Sequence, residues 1–350
     1  VEQDFARVVL DEAQYIKNPL TQVARAAKRL PAGVRFALTG TPIENRLSEL
    51  WSIFDFLMPG LLGTRESFAK RFESPVEHAE GDSAARLQAL VSPFVLRRVK
   101  EDVVADLPEK IEDTVVAQLT GEQRKLYLAN QDRIAQQVQH REASEFKKDK
   151  LKVLAELTKL RQICCDPRLH YEDYKAGSAK LDTCMELVYG ALDGGHRILL
   201  FSQFTGMLDI IGKRLSKEDI AFLKLTGASS KESRAKMVAQ FQAGEVPVFL
   251  ISLKAGGVGL NLTAADVVIH YDPWWNVAAQ DQATDRAHRI GQQHTVTVYK
   301  LIAKDTIEER IMQMQESKRD LVNSVLGGDG ISSALFSRED VLALLGGDGR

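Results

Sequence analysis

The stretch VPVFLISLKAGGVGLNL, residues 246–262, joins a run of mostly apolar residues to a loop rich in glycine. A strand that is apolar along its whole length is typical of a parallel sheet covered on both faces, because neither face meets water. The glycines that follow, Gly256, Gly257 and Gly259, let backbone N–H groups approach an anion closely. The loop is also compatible with a simple tight turn. This stretch therefore predicts an α/β fold with a candidate anion-contacting loop after a strand.

Similar apolar runs recur along the chain and alternate with helical patterns. Strands are predicted at Arg7–Leu10, Arg35–Leu38, Arg197–Phe201, Val246–Ser252, Val267–Tyr271 and Val296–Ile302. Amphipathic helices are predicted between several of them, including Leu208–Leu215 and Ser230–Gln242. This alternation is typical of parallel sheets with crossover helices. The middle of the chain differs, because it is mostly helical and highly charged, with one predicted strand at Thr114–Leu119.

The composition limits the partners and the compartment. A chain of 350 residues has room for two domains, and its net charge of −2 means that any contact with nucleic acid is a local patch. The cysteines Cys164, Cys165 and Cys184 are too few and too irregular for a disulfide framework or a four-ligand zinc site, so reduced thiols are expected. No apolar run reaches membrane-spanning length, and no signal pattern opens the chain. A soluble, cytoplasmic protein is expected, associated with the nucleoid if it is bacterial.

The segment VVLDEAQ, residues 8–14, ends an apolar strand in the adjacent carboxylates Asp11 and Glu12. The carboxyl ends of parallel strands carry the ligand crevice of an open sheet. One carboxylate there can orient hydrated magnesium while the other positions or deprotonates water, a combination suited to phosphoanhydride hydrolysis. Acidic residues are also favoured at a helix N-terminus after a strand, because of the helix dipole. Both interpretations stay open on this segment alone.

The segment LTGTP, residues 38–42, follows another predicted strand. Gly40 and Pro42 are turn formers, and Thr39 and Thr41 can bond nearby backbone. On the residues alone, this segment is a turn that ends a strand.

The segment QDQATDRAHRIGQ, residues 280–292, places Arg286 and Arg289 three positions apart. On a helix these side chains would share a face. Adjacent guanidinium groups normally repel, and a multiply charged anion such as a triphosphate between them relieves that repulsion. Surface arginines bonded to water are the alternative, which leaves the surrounding Gln, His and Gly pattern unexplained.

Taken together, DEAQ at 11–14, LTGTP at 38–42, the glycine loop and RAHRIGQ at 286–292 resemble motifs II, III, V and VI of superfamily-two helicases. More narrowly, the chain resembles the Swi/Snf-type DNA translocases. The segments that carry this narrower resemblance are LRRVKEDV at 96–103 with Leu107-Pro108, DPWWN at 272–276, and RIGQ at 289–292. The resemblance covers nearly the whole chain up to about residue 325. The compact middle region and Gln14 look bacterial.

The resemblance implies an α/β fold with two RecA-like parallel-sheet domains, the first one incomplete, and a helical insertion. It assigns residues 1–66 to the C-terminal part of the first RecA-like domain, 67–176 to the insertion and linker, 177–325 to the second RecA-like domain, and 326–350 to a tail. The phosphate loop G-x-x-x-x-G-K-S/T does not occur, and in the family it precedes the acidic motif. We therefore expect the sequence to begin partway through the first domain, with an exposed apolar sheet face and no ATP hydrolysis by these residues alone.

The resemblance also implies ATP and magnesium as cofactors and gives site residues their roles. Asp11 orients magnesium through water, Glu12 is the general base, and Arg286 and Arg289 are arginine fingers. Gln14 stands where the family more often has histidine, and as an amide that does not titrate it links the nucleotide to motif VI. Further nucleotide contacts are implied for Gly257, Gly259 and Gln282, and coupling of hydrolysis to movement for Thr39, Gly40 and Thr41.

The implied DNA contacts are Ser202, Gln203, Lys254 and Trp274, although adjacent tryptophans are equally compatible with packing at a domain interface. Contacts to phosphates track a strand without reading its sequence. The implied function is ATP-dependent translocation on double-stranded DNA with remodelling of protein–DNA complexes, and RNA polymerase is a further possible partner. The alternative is a module that binds nucleic acid or RNA polymerase without ATPase activity.

Overall fold

The structure is a computed structural model that describes residues 4–40, 47–74, 82–98, 107–139, 143–256, 259–274, 277–313 and 338–346. The chain divides into two compact units. Unit 1 holds the described residues up to 98 together with 277–278, and unit 2 holds those of 107–274, 279–313 and 338–346.

Unit 1 contains a short parallel sheet with helices packed against it. Strand β1 (Phe5–Leu10) pairs in parallel with β2 (Ala32–Ala37). The helices of this unit are α1 (Gln22–Lys28), α2 (Leu47–Leu57), α3 (Arg65–Phe68) and α4 (Ser83–Val91). Val9 and Phe36 expose 56% and 49% of their surface, which confirms the predicted exposed apolar face of this sheet.

Unit 2 is built on a parallel sheet that has six strands among the described residues. The strands are β3 (Lys110–Ala117), β4 (Ile198–Ser202), β5 (Phe222–Leu225), β6 (Val248–Ser252), β7 (Val267–His270) and β8 (Val296–Ala303). Their order across the sheet is β3, β8, β7, β4, β6, β5, and every neighbouring pair is parallel.

The helices of unit 2 connect these strands or pack beside them. They are α5 (Gly121–Gln139), α6 (Ala143–Cys165), α7 (Ala179–Asp193), α8 (Thr205–Lys217), α9 (Lys231–Gln242), α10 (Leu253–Gly256), α11 (Val277–Thr284), α12 (residues 307–313) and α13 (Arg338–Leu344). Serine hydroxyls fix two of the starting points, since Ser178 and Ser230 accept backbone N–H groups at the first turns of α7 and α9. Among the described residues, no helix combines the length and the apolar character needed to cross a membrane.

Alternate residues of the central strands feed two separate cores. Leu200 and Leu250 pack on one face against α7 and α8, whereas Phe201 and Ile251 pack on the other face with Phe241 of α9. Strands β4, β6 and β7 are buried along their whole lengths, which explains their continuous apolar sequences. Unit 2 is therefore a sheet covered by helices on both faces.

The predicted strands are confirmed to within a few residues, whereas β5 was not predicted. The predicted strand at Thr114–Leu119 corresponds to β3, which is hydrogen-bonded along its length to β8 and so belongs to the sheet of unit 2. The boundaries at 66, 176 and 325 follow the family's sequence pattern and stay a prediction. The three cysteines are free thiols, as predicted, and all are buried.

A buried ion pair joins the start of α7 to α12. Lys180 and Glu308 are both fully buried, and the Lys180 ammonium donates to Glu308 Oε2 at 2.6 Å. The same carboxylate accepts the Ala303 N–H at 2.9 Å, at the end of β8. Removing one partner of such a pair strands a buried charge, which costs far more than an exposed ion pair contributes.

We expect Lys180→Met to lower the free energy of unfolding by about 3–5 kcal/mol, because Glu308 would keep its buried charge without the cation. Urea unfolding monitored by circular dichroism measures the loss. Lys213→Met is the matched control, since Lys213 is exposed on α8. The double variant Lys180→Met/Glu308→Leu should recover most of the stability. A loss below about 1 kcal/mol in the single variant would contradict this prediction.

A buried histidine holds α11 against the sheet. His270, at the end of β7, is 1% exposed, and its Nε2 lies 2.8 Å from Thr284 Oγ1. Its ring stacks on Phe201 with centroids 5.5 Å apart. Burial lowers the pKa of His270 to about 3, with a smaller effect of the Lys300 ammonium in the same direction, while the Glu112 carboxylate raises it. The folded protein therefore holds His270 neutral.

Because the pKa of an unfolded histidine is about 6.5, His270 favours unfolding as the pH falls from about 6.5 toward about 3. We expect His270→Phe to be less stable than wild type at about pH 7, because the substitution removes the bond to Thr284. The difference should shrink by up to about 1.4 kcal/mol per pH unit at lower pH. Chemical denaturation at several pH values measures it. His294→Phe, at an exposed site, should instead stay parallel to wild type.

Candidate functional site

The predicted acidic pair lies directly after β1 in unit 1. Asp11 is exposed, and its Oδ1 accepts the N–H of Glu12 at 2.9 Å. Glu12 has φ 52° and ψ 51°, a left-handed conformation that costs a residue with a side chain roughly 1–2 kcal/mol. The next residue, Ala13, donates its N–H to Leu38 O at 2.8 Å, so the acidic turn is joined to the end of β2. The two predicted motifs therefore meet at one edge of the sheet.

Gln14 connects the acidic turn to Thr39 through its side chain. The Thr39 hydroxyl donates to Gln14 Oε1 at 2.7 Å, and Gln14 Nε2 donates to Glu12 Oε2 at 2.6 Å. Since a carboxylate only accepts, the amide is oriented with its NH₂ toward Glu12. Thr39 and Glu12 thus share one hydrogen-bonded relay inside unit 1. Gly40 is exposed beside it, and Thr41 lies outside the described residues.

Asp11 fits the predicted magnesium contact. Magnesium prefers oxygen ligands and often keeps several of its waters, so one or two carboxylates suffice. The Asp11 carboxylate is exposed at the carboxyl end of β1, with one oxygen turned to the Glu12 N–H. Within the described part of the chain, no group of three or more His, Cys, Asp or Glu residues is arranged to hold a metal. A single carboxylate acting through water is the arrangement that these residues can supply.

The predicted arginine pair lies in a turn of unit 2, residues 285–291, called here the arginine turn. The expectation that both arginines share a helix face is wrong, because α11 ends at Thr284. The Arg286 carbonyl accepts the N–H of Leu262 at 2.9 Å, so it does not continue the helical hydrogen bonding. The turn ends at Gly291, whose φ of +102° favours glycine.

The two guanidinium groups have different surroundings. Arg286 is buried, with 9% of its surface exposed, whereas Arg289 is half-buried and donates from Nη1 to Leu260 O at 3.3 Å. Leu260 belongs to the glycine loop, so the loop and the arginine turn touch each other within unit 2. Gly259, in the same loop, has φ +51° and open space around its Cα. Gln282 is half-buried on α11, and Gly257 lies outside the described residues.

Ser202 and Gln203, predicted to contact DNA, are bonded to the buried carboxylate of Asp272. The Ser202 hydroxyl donates to Asp272 Oδ1, and Gln203 donates from Nε2 to Oδ2 at 2.6 Å. Gln203 Oε1 accepts Arg161 Nη1 at 3.1 Å, and Arg161 also donates to the carbonyl of Pro273. These contacts build one polar network at the carboxyl ends of β4 and β7.

Two further residues, Lys254 and Trp274, are predicted to contact DNA. Lys254 lies in the short helix α10. Trp274 is partly buried against the core that contains Phe201, and its backbone N–H donates to Gln280 Oε1 at 3.3 Å. The DNA contacts of Ser202, Gln203, Lys254 and Trp274 stay predictions. Asp272, which the sequence analysis did not name as a site residue, comes soon after the apolar strand β7, just as Asp11 comes after β1, and that position was the available signal.

Two family models match the chain. The model described as SNF2-related domain matches residues 1–169, and the one described as helicase conserved C-terminal domain matches residues 179–291. They follow each other along the chain.

Proteins from all three domains of life are similar to the chain. The Mycoplasma genitalium protein named uncharacterized ATP-dependent helicase MG018 is 40% identical over 98% of this chain and 33% of its own length. The yeast TATA-binding protein-associated factor MOT1 is 33% identical over 99% of this chain and 22% of its own. The chain thus spans about a third or less of the length of these curated relatives.

A solved structure covers both units. The Sulfolobus solfataricus SWI2/SNF2 ATPase core in complex with double-stranded DNA is 38% identical, with a TM-score of 0.55, over 98% of this chain and 71% of that one. Because the match covers 98% of this chain, it includes nearly all of the residues that the two family models match. From the acidic turn to the arginine turn, the chain belongs to the SWI2/SNF2 family of two-domain ATPase cores.

Proposed function

We propose that the full-length protein is a DNA-dependent ATPase that moves along double-stranded DNA and remodels protein–DNA complexes. The observation that carries the proposal is the relay from Glu12 through Gln14 to Thr39, at the carboxyl end of parallel strands. A carboxylate held in this way suits attack of water on a phosphoanhydride. The DNA in the Sulfolobus complex and the name of MOT1 support the nucleic-acid part of the proposal.

Glu12 orients the attacking water toward the terminal phosphate and accepts a proton from that water. Magnesium, when bound through Asp11, neutralises charge on the phosphate oxygens. Asp11 accepts the Glu12 N–H, which keeps the two carboxylates in different roles. Phosphoryl transfer needs little from a protein beyond positioning and charge stabilisation, and these residues supply both.

Arg286 and Arg289 stabilise the charge that develops on the transferring phosphate. Guanidinium groups hold phosphate oxygens through paired N–H donors, and an arginine finger contributes on the order of 10³-fold or more to hydrolysis. In this proposal, DNA stimulates hydrolysis because its binding brings both arginines to the transferring phosphate.

Gln14 carries the state of Glu12 to Thr39. A hydrogen bond to a charged carboxylate is roughly twice as strong as one between neutral groups. When Glu12 gains a proton from water, its bond from Gln14 Nε2 weakens, and the bond from Thr39 to the same amide changes with it. Together with Gly40 and Thr41, Thr39 then couples hydrolysis to movement on the DNA backbone, which Ser202, Gln203, Lys254 and Trp274 contact.

ATP hydrolysis by the full-length protein, with and without duplex DNA, tests the main proposal. We expect duplex DNA to stimulate hydrolysis, and Glu12→Gln and Arg289→Ala each to reduce the stimulated rate by roughly 10³-fold. Glu186→Gln and Arg86→Ala are matched controls, because both side chains are exposed on helices α7 and α4. The controls should keep the wild-type rate.

If the full-length protein hydrolyses no ATP with any nucleic acid, the motor function is excluded. Retention of DNA or RNA polymerase binding in that case would instead support a binding module. For the remodelling part, the matching assay is ATP-dependent release of a protein bound to labelled duplex DNA. Hydrolysis without release would restrict the function to translocation.

The relay has a test of its own. We expect Gln14→Leu to lower the DNA-stimulated rate by about tenfold while the rate without DNA changes less, since the lost bonds act in coupling. Thr39→Val should have a similar effect, and the double variant should be no worse than either single variant. Gln22→Leu, exposed on α1, is the control. Equal loss of both rates would show that Gln14 supports hydrolysis itself.

A further inference from the structure

The arginine turn is fixed on one side by the chain between β6 and β7. The Arg286 carbonyl accepts the Leu262 N–H, and Arg289 donates to Leu260 O, as described above. Just beyond the turn, the buried amide of Gln292 donates to Ala265 O at 2.7 Å. These bonds all reach the same neighbouring segment, residues 260–265. They hold the side of the turn that faces this segment.

A separate bond fixes the opposite side of the turn. His288 lies between the two arginines in sequence and is buried, with 8% of its surface exposed. Its Nε2 lies 2.7 Å from the carbonyl oxygen of Pro108. Because a carbonyl only accepts, Nε2 carries the proton in this bond. The imidazole is therefore a donor aimed at the backbone just before β3.

The backbone that receives this bond is itself held to the sheet. Glu109, the residue after Pro108, accepts the Val296 N–H at 3.0 Å at the start of β8, and β3 begins at the next residue. The His288 bond thus connects the arginine turn to the edge of the sheet opposite β5. With the bonds to residues 260–265, the turn is held at two separated places.

We propose that His288 is a positioning residue for Arg286 and Arg289, which rests on the proposed function. Its bond to Pro108 holds the turn on the side away from residues 260–265 and so helps to fix where the two guanidinium groups stand. Stabilisation of a transition state depends on such placement, since a displacement of about 1 Å can cost on the order of 100-fold in rate. His288 itself touches no phosphate in this mechanism.

Steady-state kinetics of the full-length protein with saturating duplex DNA test the proposal. We expect His288→Ala to lower kcat about tenfold and to change the KM for ATP by less than about twofold, because the arginines act in the transition state. His288→Gln should restore most of kcat, since its amide can donate to Pro108, whereas His288→Phe should not. His294→Ala, at an exposed histidine, should match wild type.

A second measurement separates positioning from a purely structural role. In an Arg289→Lys background, where placement of the fork already fails, His288→Ala should cost less than about threefold in kcat. Three results would each overturn the proposal. The first is a full tenfold loss in the Arg289→Lys background, and the second is a wild-type kcat in His288→Ala. The third is a lower melting temperature that His288→Gln restores without restoring kcat. If the wild-type protein itself hydrolyses no ATP, the proposed function fails. If the wild-type protein hydrolyses ATP and only the His288 variants depart from expectation, the positioning role fails and the proposed function stands.

Discussion

Parallel pairing of strands is the constraint on which the candidate sites depend. Since all the strands of a parallel sheet point the same way, the residues that follow them collect at one edge. In unit 1 this edge holds the acidic turn and Thr39, after β1 and β2. In unit 2 it holds Ser202, the last residue of β4, and Asp272, which comes soon after β7. Residues far apart in sequence therefore become neighbours without any special local structure.

Burial of the strands also decides how polar residues at that edge behave. Asp272 is fully buried, so its charge requires donors, and Ser202 and Gln203 supply them. Arg161, from α6, extends the network to the backbone of Pro273. A network whose members satisfy each other is rigid, which suits the DNA contacts proposed above for this edge of the sheet. The buried side chains and a binding role are thus compatible, with the network supporting the backbone around it.

Short-range sequence patterns predict the strands well because burial on both faces imposes a strong apolar signal. Strand β5 was missed because its four residues include Lys224 and three of the four expose part of their surface, which weakens that signal. The helical geometry of the arginine pair failed for a different reason. The Leu262 N–H takes the carbonyl of Arg286, and a bond to a residue so distant in sequence leaves no trace in local spacing. The same holds for His288, whose partner Pro108 lies far away along the chain.

Glu12 has a strained, left-handed backbone conformation in the acidic turn. Three non-glycine residues among those described have positive φ, namely Glu12, Asp219 and Asp305. Aspartate often tolerates this region because its short side chain can bond the local backbone, whereas glutamate gains less from it. At Glu12 the cost is offset by the bond that its N–H donates to Asp11, by the bond that its carboxylate accepts from Gln14, and by the Ala13 bond to Leu38. The strained conformation sets the direction in which the Glu12 carboxylate is held, which is consistent with the general-base role proposed above.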